Sequence, residues 1–534
     1  MALTLAYSES DEYLTIKEAS IWASEHLKKD VTTSNISYLV SYGKIRKTGE
    51  NGTSLIKKDD LLQYYKSFYG TREINWKEQL GKDLNWHLSF DYLKESDTTK
   101  HVHRLHPYKG KYIPQLVEYF LDNHTDEFKK ETYFKKGDIV LDPFCGSGTT
   151  LIQANELGIN AIGIDISDFN AHISNSKITK YNLPDVVSEL NIISKKLKQF
   201  IEKSPSIKFE ERLMEQLTIF NNKYFPSPEF KHWLKDKTIK EGEYSDEKVK
   251  RFQPIFDKLI EEYDIQLKQN EQVKFLDQWY LQPVRNEIDF VFNLVKQIKC
   301  VPTKKIISII LSRTVRTCRA TSHADLATLL EPISSTYYCS KHGKICKPLF
   351  SIYSWWERYA KDTIKRLVEF DRLRTNTSQI CLRGDSRTID IFKELEVKFP
   401  EFGNVVKEKK INGIFSSPPY VGLIDYHEQH AYAYDLFGFE RHDDLEIGPL
   451  SKKQTKEAQR LYVEGISAVL NNCKQYLADD YNVFLVSNDK FNLYPTIAEN
   501  VGMKIVNQFK RPVLNRTEKD KAAYSEIIFH LKEI

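Results

Sequence analysis

Residues 137 to 167, GDIVLDPFCGSGTTLIQANELGINAIGIDIS, constrain the fold more than any other stretch. Ile139 to Leu141 is an apolar run, the pattern of a short buried strand. Gly146 and Gly148 allow a tight turn and a close backbone approach to a ligand. Thr149 opens a helix that runs to about Leu157, and Gly158 ends it. NAIGIDI is a second buried strand, closing on Asp165. Strand, glycine loop, helix, strand and acid form the unit with which parallel sheets hold an adenosine-bearing cofactor, the acid taking both ribose hydroxyls. The loop lacks the third glycine of the dinucleotide fingerprint and the Lys-Ser/Thr of a phosphate loop. It carries Asp142 at the strand end instead. A carboxylate there repels a pyrophosphate and attracts an ammonium. S-adenosylmethionine has an ammonium, a sulfonium and no phosphate. A structural glycine turn in some other α/β protein is the alternative on these residues alone.

A second stretch is IFSSPPY, residues 414 to 420. An apolar strand approach ends in two serines, two prolines and a tyrosine. Adjacent prolines remove two backbone donors and forbid helix. The turn is therefore rich in acceptors, the Ser417 hydroxyl and the Pro418 carbonyl among them, and the prolines hold them still. A lone Pro-Pro-Tyr also occurs as a surface turn or polyproline ligand. Here a buried strand precedes it and a cofactor loop lies upstream.

DPFCGSGTT followed by SSPPY resembles the amino-methylating DNA methyltransferases, of restriction-modification type, which modify cytosine N4 or adenine N6. Three further segments agree in order: HRLHPYKGKYIPQL (103 to 116), QICLRGDSR, and the C-terminal FKRPVLNRTEKDKAAYSEIIFHL, which resembles a closing antiparallel hairpin. The resemblance covers about residues 100 to 180 and 378 to 534. It implies S-adenosylmethionine as cofactor, held by His106, Tyr108, Lys109, Asp142, Pro143, Phe144, Gly146, Gly148, Thr149, Asp165 and Asp385. It implies a catalytic turn of Ser417, Pro418, Pro419 and Tyr420. The target base leaves the duplex, stacks on Tyr420 and offers its amino group to the acceptors of the turn. Transfer is then direct, with no covalent intermediate and no catalytic metal. Ser417 as first motif residue favours cytosine N4; adenine N6 is the alternative. Carbon-5 methylation requires a cysteine nucleophile, typically after proline, and no Pro-Cys occurs. Cys145 reads as a packing residue. Asp425, Tyr426, His430 and Tyr434 follow the turn and either line the pocket or form an amphipathic helix wall. The partner is double-stranded DNA, and a cognate restriction endonuclease is implied as a functional partner.

The remaining segments fill out the architecture. YLTIKEASIWASEHL and TTSNISYLVSYGKI read as two helices, the first capped by Thr15 and the second closed by Gly43. A strand pair turning at Gly49 to Gly52 and a further helix follow. This resembles an excisionase-type winged helix-turn-helix, with Lys44, Arg46, Lys47, Lys57 and Lys58 on or near the wing; a helical packing cap is the alternative. Between Asp165 and Ser417 lie more than two hundred residues, mostly of helical periodicity, the natural place for target recognition. Arginines in SRTVRTCRATSH and RNEIDFVF suit phosphate contacts or salt bridges, and guanine edges in particular cases. Glu229 to Lys274 reads as a solvated helical excursion. Cys339, His342 and Cys346 form a Cys-x2-His-x3-Cys cluster that lacks a nearby fourth ligand. Cys318 or His323 is the available fourth, and a turn with ordinary buried cysteines is the favoured reading, so no metal is assigned.

The expected fold class is α/β: a Rossmann-like methyltransferase sheet with a large helical insertion and an N-terminal winged helix-turn-helix module. The expected divisions are 1–70 (winged module), 71–100 (connector), 101–179 (catalytic domain, cofactor part), 180–377 (helical insertion for target recognition) and 378–534 (catalytic domain, second part). A net charge of +4 on 534 residues is compatible with nucleic acid without demanding it. Seven scattered cysteines and an N-terminus without a signal pattern suit a reducing cytoplasm, nucleoid-associated in a prokaryote. Two rival functions stand beside the first: an RNA guanine-N2 methyltransferase, which shares a similar loop and Pro-Pro-Tyr turn, and a catalytically inactive DNA-binding regulator.

Overall fold

The structure, a computed structural model, describes residues 13–28, 31–41, 44–48, 55–66, 84–90, 93–269, 274–323, 331–513 and 524–534. The chain divides into two compact units. One comprises Leu80–Ile201, Gln269–Arg319 and Ser351–Ile534; the other comprises Met1–Gln79, Glu202–Lys268 and Ala320–Phe350. Residues 180–377 are thus shared between the two.

The larger unit is built on a seven-stranded sheet. Its strands are β1 (Ile139–Asp142), β2 (Asn160–Asp165), β3 (Gln379–Arg383), β4 (Ile411–Ser416), β5 (Leu477–Ser487), β6 (Met503–Pro512) and β7 (Ser525–Glu533). The spatial order is β6-β7-β5-β4-β1-β2-β3. β3, β2, β1, β4 and β5 run parallel, whereas β7 pairs antiparallel with both β5 and β6. Order reverses between β1 and β4, the place where an open parallel sheet leaves a crevice at its carboxyl edge. Alternation along each strand supplies two apolar faces. Val483 and Leu485 of β5 pack with Ile391, Leu395, Ile466, Val469 and Ile497 from helices on one face. Phe484 of β5 points the other way, joining Phe415 of β4 around Phe120 of the helix Pro114–Leu121. Gly163 in β2 has no side chain because Cys145 and Leu151 occupy that space; a Cβ would stand 2.4 Å from Cys145 Sγ.

Helices of the middle of the chain also belong to this unit. Val301–Thr317 lies against Asp168–Ile178, joined by a 2.7 Å hydrogen bond between Ser308 Oγ and His172 Nε2. Arg313 on that helix is buried, donates to Asp362 at 2.6 Å and lies over the Tyr359 ring at 4.0 Å. Arg285 pairs with Asp289 at 2.8 Å. Both arginines have packing and salt-bridge roles here.

In the other unit, a strand (Tyr13–Thr15) precedes the helices Ile16–Leu27 and Thr33–Ser41. Thr15 caps the first helix, with Glu18 completing a reciprocal capping box. Strands Lys47–Thr48 and Leu55–Lys57 complete a three-stranded antiparallel sheet in which Leu55–Lys57 is central. Ala19, Ala23, Ile36, Leu39, Ile56 and Leu61 form its core. The turn at Gly49 to Gly52 and the helix stop at Gly43 lie outside the described residues. Arg46 is paired with Asp236 at 2.8 Å. The helix Glu241–Glu262 is amphipathic rather than wholly solvated, burying Phe252, Phe256 and Leu259. No described helix is long and apolar enough to cross a membrane.

Candidate functional site

The carboxyl ends of β1, β2, β3 and β4 open into one cavity of about 890 Å³. Each strand contributes the residues that follow it: Phe144 to Ser147 after β1, Asp165 to Ser167 after β2, Gly384 to Ser386 after β3, and Ser417 with Pro419 after β4. Tyr108 to Tyr112, less Lys109, form one wall, and Leu445 to Ile447 another.

The glycine loop is fixed from below. Gly146 and Gly148 adopt φ of +50° and +77°, conformations that favour glycine. A Cβ on Gly146 would meet the Tyr108 phenol at 2.9 Å, so that ring lies on the loop. Buried Lys177 donates to Ser147 O at 2.7 Å and Ser174 to Gly146 O at 2.9 Å. Asp165 accepts from the backbone N–H groups of Gly146 (2.8 Å) and Ser167 (2.9 Å) and from Asn170 Nδ2 (3.1 Å). Burial outweighs these donors and pushes its carboxyl up to about 7. Glu446, on the opposite wall, accepts from His427 N at 3.0 Å and is also pushed up to about 7, chiefly by burial. Asp385 is gripped by Arg387 through Nε to Oδ1 (2.9 Å) and Nη2 to Oδ2 (2.7 Å).

Of the expected residues, Tyr108, Pro143, Phe144, Gly146, Thr149, Asp165, Asp385, Ser417 and Pro419 line this cavity. His106, Lys109, Asp142, Gly148 and Pro418 do not. Asp142 is fully buried and accepts from Ser416 Oγ (2.5 Å), Tyr112 OH (3.0 Å) and Phe144 N (3.2 Å), which ties the end of β1 to the end of β4. His106 is sealed in the interior, its Nε2 facing Tyr432 OH at 3.1 Å and Ser312 Oγ at 3.2 Å. His430 is likewise buried and held neutral, its titration lowered to about 3 by burial; it stacks behind Tyr108 at 5.8 Å. Tyr426 lines the cavity and also stacks on Tyr108, at 6.0 Å.

Tyr420 faces elsewhere. It lines a smaller cleft of about 350 Å³ with Val421, Leu423, Asn488, Lys490 and Phe491, at the ends of β4 and β5. Its hydroxyl donates to Glu526 Oε1 at 2.9 Å, and Glu526 Oε2 forms an ion pair with Arg511, 3.2 Å from its Nε. The Ser-Pro-Pro-Tyr turn is therefore a partition: Ser417 and Pro419 face the large cavity and Tyr420 the small one. Glu446, Tyr112, Ser386 and Phe491 were not singled out from sequence. Tyr112 lies inside the segment 103 to 116, and Ser386 directly follows Asp385; Glu446 sits in an irregular loop with no pattern to mark it.

A family described as DNA methylase matches residues 5–176. The chain is 46% identical to the Type II methyltransferase M.MjaII of Methanocaldococcus jannaschii, over 97% of this chain and 96% of that protein. It is 33% identical to the Type II methyltransferase M.BsoBI of Geobacillus stearothermophilus over 26% of this chain and 25% of that one. A 68-residue stretch is 43% identical to a tRNA (guanine(10)-N2)-dimethyltransferase of Methanocaldococcus jannaschii, covering 12% of this chain and 19% of that one.

Proposed function

The chain belongs to the amino-methylating DNA methyltransferases of restriction-modification type, enzymes that draw their methyl group from S-adenosylmethionine, and from that premise we propose that it methylates the exocyclic N4 of cytosine in duplex DNA. The observation that carries the proposal is the partition. One short turn, Ser417 to Tyr420, borders both the cavity at the glycine loop and a second cleft lined by four aromatic rings, Tyr420, Tyr462, Phe491 and Tyr494.

The large cavity fits a cationic nucleoside. It presents Asp165, Glu446 and Asp385 beside Phe144 and Ile447, and its one lysine, Lys111, is turned to His103 O at 2.8 Å. Asp165 would take the ribose hydroxyls, and Asp385 and Phe144 the adenine end. Tyr108, laid on Gly146 and backed by Tyr426 and His430, would close water out. When bound, S-adenosylmethionine supplies an electrophilic methyl on a sulfonium.

The chain's own part is to deliver the nucleophile. An extruded cytosine would enter the smaller cleft and stack against Tyr420, with Phe491 in reach of it; stacking of this kind is worth about 1–3 kcal/mol per base. Its amino group would pass the partition at Ser417. The Ser417 hydroxyl and the Pro418 carbonyl accept from the N–H bonds, which frees the nitrogen lone pair for in-line attack and orients the departing proton toward Ser417 or solvent. Asp142 would act through its neighbours: it accepts from Ser416, which directly precedes the turn, and from Tyr112 in the wall of the large cavity. The module of residues 1–70, read as a winged helix-turn-helix, would meet DNA phosphates through Lys44, Lys47 and Lys58. Parts of 180–377 would read the target. A cognate endonuclease that cuts the same unmethylated sequence is the functional partner this reading implies, and the cytoplasm is the compartment.

The test is transfer from methyl-labelled cofactor to mixed-sequence plasmid DNA, followed by nucleoside digestion and mass analysis. N4-methylcytosine is expected. N6-methyladenine would overturn Ser417 as the base discriminator while keeping the two-cleft site. Label on tRNA and none on DNA would overturn the DNA substrate.

A further inference from the structure

A cluster of ligating side chains lies in the other unit, and none of its residues lines the large cavity. The strands Tyr337–Cys339 and Lys344–Cys346 form a hairpin whose register pairs Tyr337 with Cys346 and Cys339 with Lys344. Opposed residues share a face, so Cys339 and Cys346 are diagonal neighbours on one side of the hairpin. Both are free thiols, 1% and 8% exposed. The turn between them is tight. His342 N and Gly343 N both donate to Cys339 O, at 3.1 and 2.7 Å, and Gly343 takes φ +61°. This folds His342 over the sulfurs, with Nδ1 3.5 Å from Cys346 Sγ. His323 joins from outside the hairpin, its ring 4.6 Å from that of His342. One ligand atom from each of the four residues lies within 4.8 Å of all the others.

We propose that Cys339, Cys346, His342 and His323 bind one Zn2+ ion in a structural site. Four protein ligands leave no open position for water or substrate, which is the mark of a structural rather than a catalytic centre. Zinc–sulfur bonds of about 2.3 Å and zinc–nitrogen bonds of about 2.0–2.1 Å make a tetrahedron with edges of about 3.3–3.8 Å. The longest ligand–ligand gap, at most 4.8 Å, would have to close by about 1.0–1.5 Å, within reach of side-chain rotation. The donor set selects the ion: paired thiolates and imidazoles suit zinc and exclude magnesium and calcium. A two-iron cluster would hold the thiolates and the imidazoles on separate metals, farther apart than these four atoms.

The surroundings support the assignment. Tyr337 OH lies 2.8 Å from His323 Nδ1 and accepts from His323 N at 3.1 Å. With the metal on Nε2, Nδ1–H becomes a donor to that hydroxyl, the outer partner that metal-bound histidines ordinarily have. The hairpin is itself anchored to helices. Asn221 brackets Ile345, accepting its N–H at 3.0 Å and donating to its carbonyl at 2.9 Å, and Tyr338 OH donates to Glu241 Oε1 at 2.8 Å. Zinc would clasp residue 323 to this hairpin and so brace the helices Ser206–Tyr224 and Glu241–Glu262. His323, rather than Cys318, stands as the fourth ligand, and the cluster is a cage rather than a turn with ordinary buried cysteines.

The experiment uses the full-length chain, untagged and purified without chelator from zinc-supplemented cells. Metal is counted by mass spectrometry of the elements and followed with a zinc-sensitive dye while a mercurial titrates the thiols. One zinc per chain is expected, released as two thiols beyond the exposed Cys300 react. The stripped chain should melt at a lower temperature and recover on adding Zn2+, and Co2+ in its place should give the visible bands of a tetrahedral thiolate site. His323→Ala and Cys346→Ser should each cut the zinc content several-fold. The proposal is overturned if the stripped chain binds neither Zn2+ nor Co2+, if both variants keep wild-type zinc, or if mass analysis finds Cys339 and Cys346 joined as a disulfide in freshly isolated protein.

Discussion

A carboxyl group sealed from water at the edge of a ligand cavity titrates where the ligand can control it. Asp165 and Glu446 are both pushed up to about 7 by burial. In the proposed complex each acts as an acceptor or counter-charge for a cationic nucleoside, so binding selects the ionised forms. The sign follows. Affinity for S-adenosylmethionine rises as pH rises through about 7 and levels off above it; below, it falls by up to about tenfold per unit for each group that must lose its proton. Calorimetry between pH 6 and 8 should show this, with protons released on binding near pH 7. A flat profile would remove both carboxylates from the cofactor's shell. Ser417 makes the complementary case. Replacing it with alanine removes an acceptor that acts on the reacting amino group, so Ser417→Ala should lower kcat by about 10²-fold or more, a loss typical of such groups. Cofactor Kd should change by less than about twofold, since the substitution trims only the rim of that cavity. A matched loss of cofactor affinity would mean that Ser417 holds the cofactor instead.

Strands and loops explain both what is legible in the sequence and what is not. The segment from Ile139 to Asp165 is legible because each of its residues answers to a local rule: apolar runs for β1 and β2, glycine at positive φ, and glycine again after Leu157. The division of Ser417–Tyr420 between two clefts is not. The motif reads as one group, but in extended backbone neighbouring side chains point to opposite sides, and two prolines enforce extension. The middle of the chain reads as one block, and the structure divides it, for a related reason. Helical periodicity shows that Leu183–Ile201 and Val301–Thr317 bury a face, and says nothing of which partner covers it. The fourth ligand beside Cys339, His342 and Cys346 stays open in the sequence because spacing alone does not join residue 323 to a hairpin that begins 14 residues on. The close packing of β2 on the cofactor loop makes a test at this scale. In Gly163→Ala the new Cβ would meet Cys145 Sγ at 2.4 Å and Leu151 Cδ1 at 2.9 Å. Relief requires the loop to shift, at a cost of about 1–3 kcal/mol. A lowered Tm together with weakened cofactor binding is expected; a variant with wild-type values of both would show that the loop is not held by this packing.

Across the whole molecule, a net charge of +4 gives no strong pull toward DNA, so binding must come from local patches. If the N-terminal module is one of them, Lys44→Gln with Lys47→Gln should weaken duplex binding evenly across sequences. The slope of log affinity against log salt should become shallower by about 0.9 for each phosphate that the variant no longer neutralises. Cofactor binding should be unaffected, and an unchanged salt slope would make the module a packing cap. The arrangement of the chain has one more consequence. The smaller unit is written in three separate stretches of sequence, Met1–Gln79, Glu202–Lys268 and Ala320–Phe350, with the larger unit interleaved between them. Pairs such as Arg46 with Asp236 and Phe209 with Phe350 join stretches that lie far apart along the gene. No single crossover can transplant either unit intact. A hybrid made at any one junction between residues 46 and 350 would draw the halves of at least one of these pairs from different parents, so exchanging the unit as a cassette takes several crossovers at once.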